Sequence, residues 1–221
     1  MTRLVFWDVD TLYDFMRADG KLYVPGSEDI IPTLGALTSF AHARRIPIIA
    51  SADNHELTDA EISDYPDWTT TFPPHCVRGT TCQLKIAETA LREPMVIEPE
   101  PEEPGALAAR IRAHRGDFLL NKRTLDVFSN ANAQTLLRTL DPAAIVVYGV
   151  ATDFCDRYTI EGLLRRQPNA DVFLVTDAIR AIRADEGERL LAGWRERGVH
   201  MLSAADVLAG RGLDRYLPAA V

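Results

Sequence analysis

The chain has 221 residues and carries 32 acidic against 24 basic side chains, for a net charge of −8. Its length suits one domain over residues 1–221, and its acidic balance argues against nucleic acid as a partner. Three cysteines are an odd number and too few for a disulfide framework, which indicates a reducing compartment, the cytoplasm. No apolar run reaches the ~18–20 residues of a membrane span, so we expect no membrane partner.

Short apolar runs alternate with amphipathic stretches along the chain. In chain order they predict a strand at Leu4–Trp7, a helix at Ile30–Arg44, a strand at Ile46–Ala50, a short helix at Cys82–Leu91, a helix at Pro104–His114, a strand at Phe118–Leu120, a helix at Ala131–Leu140, a strand at Ile145–Tyr148, a helix at Cys155–Arg166, a strand at Val172–Val175, a helix at Asp185–Arg197, a strand at Val199–Leu202 and a last turn of helix at Ala204–Leu208. This alternation predicts an α/β protein with a three-layer α/β/α fold. Its sheet is expected to be Rossmann-like and doubly wound, with about six mainly parallel strands.

Polar side chains follow four of these predicted strands. In chain order they are Asp10, then Asp53 and His55, then Lys122, then Cys155. The carboxyl ends of parallel strands meet at one edge of the sheet, which is where ligands bind. We therefore expect a carboxylate, an Asp-x-His pair, a lysine and a cysteine to share one edge. Such a set is much less common by chance than one polar residue after a strand.

Cys155 is predicted to lie in the first turn of a helix. Residues 149–155 read Gly-Val-Ala-Thr-Asp-Phe-Cys after a buried strand, and Thr152 or Asp153 is the expected N-cap. The helix dipole and the free N–H groups at that position favour a thiolate. Taken alone, Cys155 is equally well explained as a small buried residue at a strand–helix junction. Asp10 and Lys122 at neighbouring strand ends favour a nucleophile.

Cysteine, aspartate and lysine side chains together suit attack on a carbonyl carbon. Asp10 can take the thiol proton of Cys155, while Lys122 holds the carboxylate and stabilises negative charge. The backbone N–H groups of Ala151 and Cys155 are the candidate oxyanion hole for a tetrahedral intermediate. The pattern therefore predicts covalent catalysis by Cys155.

A second group of side chains has the composition of a metal site. Asp53 and His55 are one residue apart, His75 lies on a loop stiffened by two prolines, and Glu61 lies between them in the chain. These donors suit Zn, Fe or Mn rather than Ca or Cu(I). An Asp-x-His pair alone is more often part of a polar loop. The addition of His75 makes a divalent metal ion the better interpretation.

Residues 8–12, Asp-Val-Asp-Thr-Leu, also resemble the first motif of haloacid-dehalogenase-type phosphatases, with Lys122 as the phosphate-binding lysine. That family needs a later acidic pair to hold Mg²⁺, and the residues after the later strands do not provide one. This interpretation also leaves Cys155, His55 and His75 without roles, so it is the weaker alternative.

Several motifs occur in a fixed order along the chain. They are Asp10, Asp14-Phe15, Ser51-Ala52-Asp53-Asn54-His55, Asp67–Val77, Asn121-Lys122-Arg123, Phe128-Ser129, Gly149–Cys155 and Val175-Thr176-Asp177-Ala178. In order and spacing, from about Leu4 to Leu208, they resemble the isochorismatase-like cysteine hydrolases. The Pro-Pro-His-Cys-Val segment at 73–77 is typical of the nicotinamidase (pyrazinamidase) branch of that family.

The resemblance implies roles for individual residues. It implies a catalytic triad of Asp10, Lys122 and Cys155. It implies a divalent metal ion bound by Asp53, His55 and His75, with Glu61 as a fourth ligand. Phe15 and Phe72 correspond to the aromatic residues that enclose a pyridine ring, and a cis peptide bond is implied at Val150–Ala151.

The activity implied by the resemblance is cleavage of nicotinamide to nicotinate and ammonia through a cysteine thioester, with the metal ion orienting the pyridine ring. One alternative is a family member that acts on another small amide or carbamoyl compound. Another is a non-catalytic binding domain on the same scaffold. Family members often form dimers or tetramers, which implies a homo-oligomer. Leu12 departs from the usual Gln, and Cys76 and Cys82 are expected to be structural thiols.

Overall fold

Seven parallel strands form the central sheet of the computed structural model, which describes residues 4–217. In chain order they are β1 (Leu4–Val9), β2 (Ile48–Asp53), β3 (Met95–Ile97), β4 (Phe118–Lys122), β5 (Ala144–Val150), β6 (Asp171–Arg180) and β7 (His200–Leu202). Their order across the sheet is β3-β4-β2-β1-β5-β6-β7, and every neighbouring pair is parallel. β2 to β4 lie on one side of β1 and β5 to β7 on the other, so the switch point of the doubly wound sheet lies beside β1.

Helices cover both faces of the sheet. They are α1 (Tyr13–Met16), α2 (Ser27–Ala43), α3 (Pro104–Ala113), α4 (Ala133–Leu140), α5 (Cys155–Arg166), α6 (Ala184–Glu196) and α7 (Ala204–Leu208). Alternate residues of β1 face opposite layers: Phe6 packs in the core with α2 and α7, and Trp7 packs in the core with α3 to α6. The predicted three-layer α/β/α fold is confirmed. Among the helices of residues 4–217, none combines the length and apolar character needed to cross a membrane.

The predicted helix at Cys82–Leu91 is wrong. The structure has two short 3-10 turns in this region, Thr81–Gln83 and Ala87–Thr89, with extended backbone between them. Lys85, in the extended part, pairs with Leu12 in an isolated antiparallel bridge. This pairing holds the segment against the end of β1, so a tertiary contact overrides the local helical spacing.

The sheet has one strand more than the six predicted. The additional strand, β3, has three residues and lies at the sheet edge, which is too short to give a periodic signal. β6 continues past the predicted end at Val175, because its ladder with β5 resumes after a bulge and pairs Gly149 with Ile179. The helices α5 and α7 have the predicted bounds, and the other predicted elements are present with shifted ends.

Candidate active site

The carboxyl ends of β1, β2, β4 and β5 bring Asp10, Asp53, Lys122 and Cys155 together. Asp53 and Lys122 are the last residues of β2 and β4, and they lie opposite each other in the sheet register. Asp10 directly follows β1, and Cys155 is the first residue of α5 after β5. All four residues are buried. The side chains share one edge of the sheet, beside the switch point.

Lys122 lies at the centre of this group. Its Nζ is 2.9 Å from Asp10 Oδ2 and 3.6 Å from Cys155 Sγ, and it donates a hydrogen bond to Asp53 Oδ1. Ser51 Oγ donates to the other carboxylate oxygen of Asp10 at 2.6 Å. A fully buried ammonium group therefore links two carboxylates and the thiol. The two carboxylates together offset the cost of burying its charge.

For Lys122 and for Cys155, burial and neighbouring opposite charges shift the pKa in opposite directions. Burial alone would lower the pKa of Lys122, but the attraction of Asp10 and Asp53 raises that pKa well above its usual value. Burial raises the pKa of the Cys155 thiol well above its usual value, and Lys122 only partly opposes this shift. Burial therefore acts against the thiolate that the helix N-terminus is expected to favour. The thiol needs a base, and a carboxylate oxygen of Asp10 lies within 4.8 Å of Sγ.

The turn before α5 differs from its predicted form. Phe154 occupies the N-cap position instead of Thr152 or Asp153, and its side chain makes no capping hydrogen bond. The Asp153 carboxylate accepts the backbone N–H groups of Ile182 and Arg183, at 2.9 and 3.0 Å. The N-cap prediction is wrong because Asp153 is engaged by a segment almost thirty residues away in the chain.

Two backbone N–H groups next to the thiol are free of backbone partners. The peptide bond between Val150 and Ala151 is cis, as the family resemblance implies. The N–H groups of Phe154 and Asp156 both donate to the Ala151 carbonyl. In the described part of the chain, the N–H groups of Ala151 and Cys155 make no such hydrogen bond. They are the two groups predicted as an oxyanion hole, and both residues line the same cavity.

Four buried side chains form a second cluster on the loops after β2. Asp53, His55, Glu61 and His75 each offer a ligand atom, and these atoms all lie within 4.8 Å of one another. His75 Nε2 is 3.7 Å from Asp53 Oδ2. His55 Nε2 is 3.8 Å from Asp53 Oδ1 and 3.9 Å from Glu61 Oε1. The four residues predicted as metal ligands thus converge on one point beside Lys122.

Several atoms of this cluster are buried without a hydrogen-bond partner within residues 4–217. They are Asp53 Oδ2, Glu61 Oε1 and both ring nitrogens of His55. Buried polar atoms in proteins normally have partners, so a converging set of unpartnered nitrogen and oxygen atoms fits a bound cation. Two imidazoles and two carboxylates are ligands that suit a divalent ion such as zinc.

Neighbouring groups orient the two histidine rings. His75 Nδ1 donates to the Pro73 carbonyl at 2.8 Å, so the lone pair of its Nε2 faces the cluster. Asp59 Oδ2 lies 3.4 Å from His55 Nδ1, within ion-pair distance but not hydrogen-bonded to it, and its charge favours a proton on Nδ1 that leaves Nε2 free toward the cluster. Metal-binding histidines are typically held by such a carbonyl or carboxylate partner. The rings are therefore set for metal binding by their own loops.

The two carboxyl groups of the cluster have opposite pKa shifts. Burial, followed by repulsion from Asp53, raises the pKa of Glu61 to about 7. Burial also opposes ionisation of Asp53, yet the charge of Lys122, together with the nearby imidazoles of His55 and His75, holds the pKa of Asp53 well below its usual value. Asp53 is therefore the anionic ligand throughout the physiological pH range. A cation in the cluster would favour the ionised form of Glu61 as well.

A cavity of about 370 Å³ opens onto both clusters. Cys155 and His75 lie in its wall together with Phe15 and Phe72, whose ring centroids are 5.6 and 6.2 Å from that of His75. Phe154 adds a third aromatic ring, 5.7 Å from Phe72. The volume lies in the usual range of ~300–1,000 Å³ for small-molecule sites, in which apolar walls surround a few polar groups. The cavity therefore suits a flat, apolar molecule with one polar end.

The mouth of the cavity is bordered by a turn at residues 67–71. Asp67 Oδ1 accepts the N–H groups of Thr69, Thr70 and Thr71 at 2.8 to 2.9 Å, and Oδ2 accepts the Thr70 hydroxyl at 2.8 Å. Trp68, with a left-handed φ of 60°, lines the cavity while remaining 57% exposed. The Asp67 hydrogen bonds therefore hold an exposed aromatic side chain at the mouth.

Three residues that support the site were not predicted from the sequence. They are Ser51, Asp59 and Phe154. Asp59 is four residues after His55, a spacing that could have identified it as a partner of that ring. Phe154 precedes the candidate nucleophile directly, so its position also offered a signal. Nothing in the local pattern at Ser51 indicated that its hydroxyl donates to Asp10.

With this geometry established, comparison with known proteins places the chain in a family. Residues 2–206 match the family model of the isochorismatase domain. The chain belongs to the isochorismatase family. The family resemblance of the sequence motifs is thereby confirmed, which excludes the phosphatase alternative. Asp8, which that alternative requires, pairs with Lys85 at 2.9 Å. Among curated proteins, none matches the sequence at a significant level.

Solved structures of isochorismatase-like proteins share the fold at low sequence identity. The pyrazinamidase of Pyrococcus horikoshii in complex with zinc has a TM-score of 0.69 and 22% identity, over 91% of this chain and 99% of that chain. PnC1 from L. infantum in complex with nicotinate has a TM-score of 0.71 and 20% identity, over 92% and 94%. N-carbamoylsarcosine amidase from Thermoplasma acidophilum has a TM-score of 0.66 and 20% identity, over 91% and 96%. These likenesses establish the isochorismatase-like fold of the chain.

Proposed function

We propose that this chain is an amidase that cleaves nicotinamide to nicotinate and ammonia through a thioester on Cys155. The observation that carries the proposal is the position of two clusters on one cavity: a cysteine with its acid and lysine, and a set of unpartnered ligands for a divalent ion. The aromatic rings of Phe15 and Phe72 beside His75 supply walls suited to a pyridine ring.

In the first half of the reaction, Asp10 takes the proton of the Cys155 thiol as Sγ attacks the carboxamide carbon. The carbonyl oxygen then carries negative charge, and the N–H groups of Ala151 and Cys155 are placed to donate to it. Lys122, held at 2.9 Å from Asp10 Oδ2, keeps the carboxylate in position and stabilises the negative charge of the site. Because burial favours the protonated thiol, we expect proton transfer to Asp10 to accompany attack on the carbon.

In the second half, Asp10 returns the proton to the departing nitrogen, so that ammonia leaves and a thioester remains on Cys155. Asp10 then accepts a proton from water as the water oxygen attacks the thioester carbon. The C–S bond breaks, nicotinate is released, and the proton returns to the Cys155 sulfur. One water is consumed per amide, and Asp10 ends each cycle in the state in which it began.

A divalent ion held by Asp53, His55, Glu61 and His75 would supply a Lewis acid that binds the pyridine nitrogen and so orients the carboxamide toward Cys155. Zinc, iron and manganese all suit this donor set, and zinc is present in the pyrazinamidase of P. horikoshii. Positioning of a bound substrate can contribute up to roughly 7–11 kcal/mol to lowering the barrier. The walls formed by Phe15 and Phe72 also help to position the substrate, because they restrict the orientation of the pyridine ring.

Ammonia release from nicotinamide tests the proposal. Wild type, Cys155→Ala and Cys82→Ala are compared with Zn²⁺, Mn²⁺ or Fe²⁺ supplied. Cys82 is a half-buried cysteine outside the cavity, so it provides the matched control. We expect activity in wild type and Cys82→Ala and its loss in Cys155→Ala. A wild type inactive on nicotinamide with every metal would refute the substrate, and full activity of Cys155→Ala would refute the mechanism.

Arg183 favours a second candidate, cleavage of another small amide or carbamoyl compound that carries an acidic group. Arg183 lines the cavity with a side chain that is 52% exposed, and its guanidinium lies 5.2 Å from the Phe154 ring. Its Nε pairs with Asp153 Oδ2 at 3.3 Å, so a carboxylate at the far end of a substrate would contact the other N–H groups of the guanidinium. Arg183→Gln should then reduce kcat/KM for an N-carbamoyl amino acid and leave that for nicotinamide unchanged. A clear preference of wild type for nicotinamide would reject this candidate.

A further inference from the structure

A second cavity, of about 600 Å³, lies at the end of the strands opposite to the candidate active site. Pro47 immediately precedes β2 and Phe118 is the first residue of β4, so the cavity opens at the amino ends of these two strands. The ends of α2, α3 and α4 contribute Arg45, Arg112 and Leu140 to its wall. The candidate active site occupies the carboxyl ends of the same strands, so the two sites share no residue.

The charged side chains of this wall all have the same sign. They are the arginines Arg45, Arg92, Arg112 and Arg115, and no Asp or Glu joins them. Within residues 4–217, none of the four lies within salt-bridge distance of a carboxylate. The chain as a whole has a net charge of −8. A concave surface lined by one sign of charge concentrates its field and attracts the opposite charge, here an anion.

Backbone carbonyls, rather than acids, hold two of the arginines in place. Arg115 Nη1 donates to the carbonyls of Arg112 and His114, at 2.7 and 2.8 Å. Arg92 Nη1 donates to the carbonyl of His42 at 3.4 Å. A carbonyl positions a guanidinium group but does not neutralise it. The arginines therefore keep their full charge and have N–H donors left for a ligand.

Asp117 lies next to the cavity lining in the sequence, but its carboxylate contacts none of the four arginine guanidinium groups within residues 4–217. Its carboxylate is fully buried beneath the wall. It accepts hydrogen bonds from the backbone N–H groups of Ile48 and Arg92, at 3.0 and 2.7 Å, and lies 2.8 Å from His42 Nε2. These partners occupy both carboxylate oxygens, so within residues 4–217 Asp117 forms no ion pair with any of the four guanidinium groups.

The floor of the cavity is apolar and partly aromatic. Ile111, Phe118 and Leu140 line it and are buried in the core. The ring of His114 stands edge-on to that of Phe118, with the ring centroids 5.1 Å apart. Ile111 and Phe118 are almost inaccessible, so a flat apolar or aromatic group would contact the half-buried Pro47 and His114 while an attached anion contacts the arginines at the rim.

We propose that this cavity binds a phosphate ester of nucleotide size, with its phosphates on the four arginines and its base against Pro47 and His114. Arginine suits this ligand because its planar N–H groups pair with phosphate oxygens two at a time and it is more weakly hydrated than lysine. The volume, greater than that of the active-site cavity, accommodates a base and ribose as well as phosphates.

Isothermal titration with ATP, inorganic tripolyphosphate and inorganic phosphate tests this site. The wild type is compared with Arg45→Gln/Arg112→Gln and with Arg195→Gln/Arg197→Gln, which removes two exposed arginines at the end of α6, far from the cavity lining. We expect wild type to bind ATP more tightly than tripolyphosphate, and both more tightly than phosphate. The cavity variant should weaken ATP binding by about tenfold or more, since two charge-assisted contacts are lost.

The control variant should bind ATP as wild type does. Equal weakening in both variants would show that diffuse charge, not the cavity, holds the anion, and would overturn the proposal. So would the absence of ATP binding at millimolar concentration, or equal affinity for ATP and tripolyphosphate. Binding of ATP at the candidate metal cluster is distinguishable, because it would be insensitive to the substitutions at Arg45 and Arg112. Circular dichroism verifies that these exposed substitutions leave the fold intact.

Discussion

Charged side chains at the two ends of β2 and β4 are in opposite environments. At the carboxyl ends, Asp53 and Lys122 are fully buried and in direct contact. At the amino ends, Arg45 and Arg112 are exposed, and no carboxylate within the described residues pairs with them. Buried charges must be matched by partners, which fixes their geometry and suits them for chemistry. Exposed charges can stay unmatched and remain available to a ligand from solution.

This contrast determines how each end should respond to substitution. At the carboxyl ends, removing one group leaves its partners buried without compensation, so stability and chemistry change together. At the amino ends, removing an arginine leaves every other group in water, so the fold should be unaffected and only ligand binding should change. The predictions below test that difference, from the largest expected effect to the smallest.

Lys122→Met should cause the largest loss of stability. The substitution leaves the carboxylates of Asp10 and Asp53 buried without their shared cation, which typically costs about 3–5 kcal/mol in the free energy of unfolding. Equilibrium urea denaturation measures this loss. Arg112→Gln, in α3 beside the second cavity, is the matched test, and its free energy of unfolding should stay within about 0.5 kcal/mol of wild type. A Lys122→Met variant as stable as Arg112→Gln would contradict the claim that only the buried charges are needed for stability.

Asp59→Asn should weaken metal binding without removing a ligand. Asp59 lies 3.4 Å from His55 Nδ1, and loss of such a partner typically costs about 10–100-fold in metal affinity. Competition with a chromophoric chelator for Zn²⁺ measures the affinity. Asp64→Asn, an exposed acid on the same loop, should bind Zn²⁺ like wild type. Equal affinity of both variants would show that Asp59 does not orient the ring.

Asp67→Asn should have the smallest effect, confined to the turn at the cavity mouth. Hydrogen bonds from the backbone N–H groups of Thr70, Thr69 and Thr71 hold the pKa of Asp67 below its usual value. A lowered pKa means that the carboxylate supports the turn above pH ~4 and that this support is lost as the pH falls through the lowered pKa. At pH 7 the variant should exchange the amides of residues 69–71 several-fold faster.

Hydrogen exchange with mass spectrometric readout measures these rates, and Asp64→Asn again serves as the control because Asp64 is exposed and outside the turn. Unchanged exchange at residues 69–71 in Asp67→Asn would show that the turn holds its shape without the carboxylate. Trp68 would then be positioned by its own backbone conformation alone.

The gathering of the reacting groups was predictable because each follows a strand. Asp10, Asp53, Lys122 and Cys155 all come at or just after the ends of apolar runs, and parallel strands bring such positions to one edge. The spacing of Asp53 and His55, together with His75 on its proline-stiffened loop, likewise indicated a metal cluster. These features depend on local pattern and on one topological rule.

The features that sequence missed depend on contacts between distant segments. Asp153 does not cap α5, because the N–H groups of Ile182 and Arg183 engage its carboxylate. The segment around Lys85 is not helical, because it pairs with Leu12 at the end of β1. No periodicity within either segment contains that information.

Leu12 illustrates how the structure resolves a departure from the family pattern. The family usually has Gln at this position, whereas Leu12 is fully buried in the core that packs with α2. The carboxylate of Asp10 obtains its polar contacts from the Ser51 hydroxyl, at 2.6 Å, and from Lys122. The carboxylate therefore has one hydrogen bond and one ion pair without Gln.

The most direct test of the proposed mechanism is the mass of the protein during turnover. Metal-loaded enzyme is mixed with nicotinamide, quenched in acid within the first turnovers, digested and analysed by mass spectrometry. The account predicts a nicotinoyl adduct on the peptide that contains Cys155, absent from Cys155→Ala and present in Cys82→Ala. Turnover of nicotinamide with no adduct on Cys155, or with one on another residue, would contradict it.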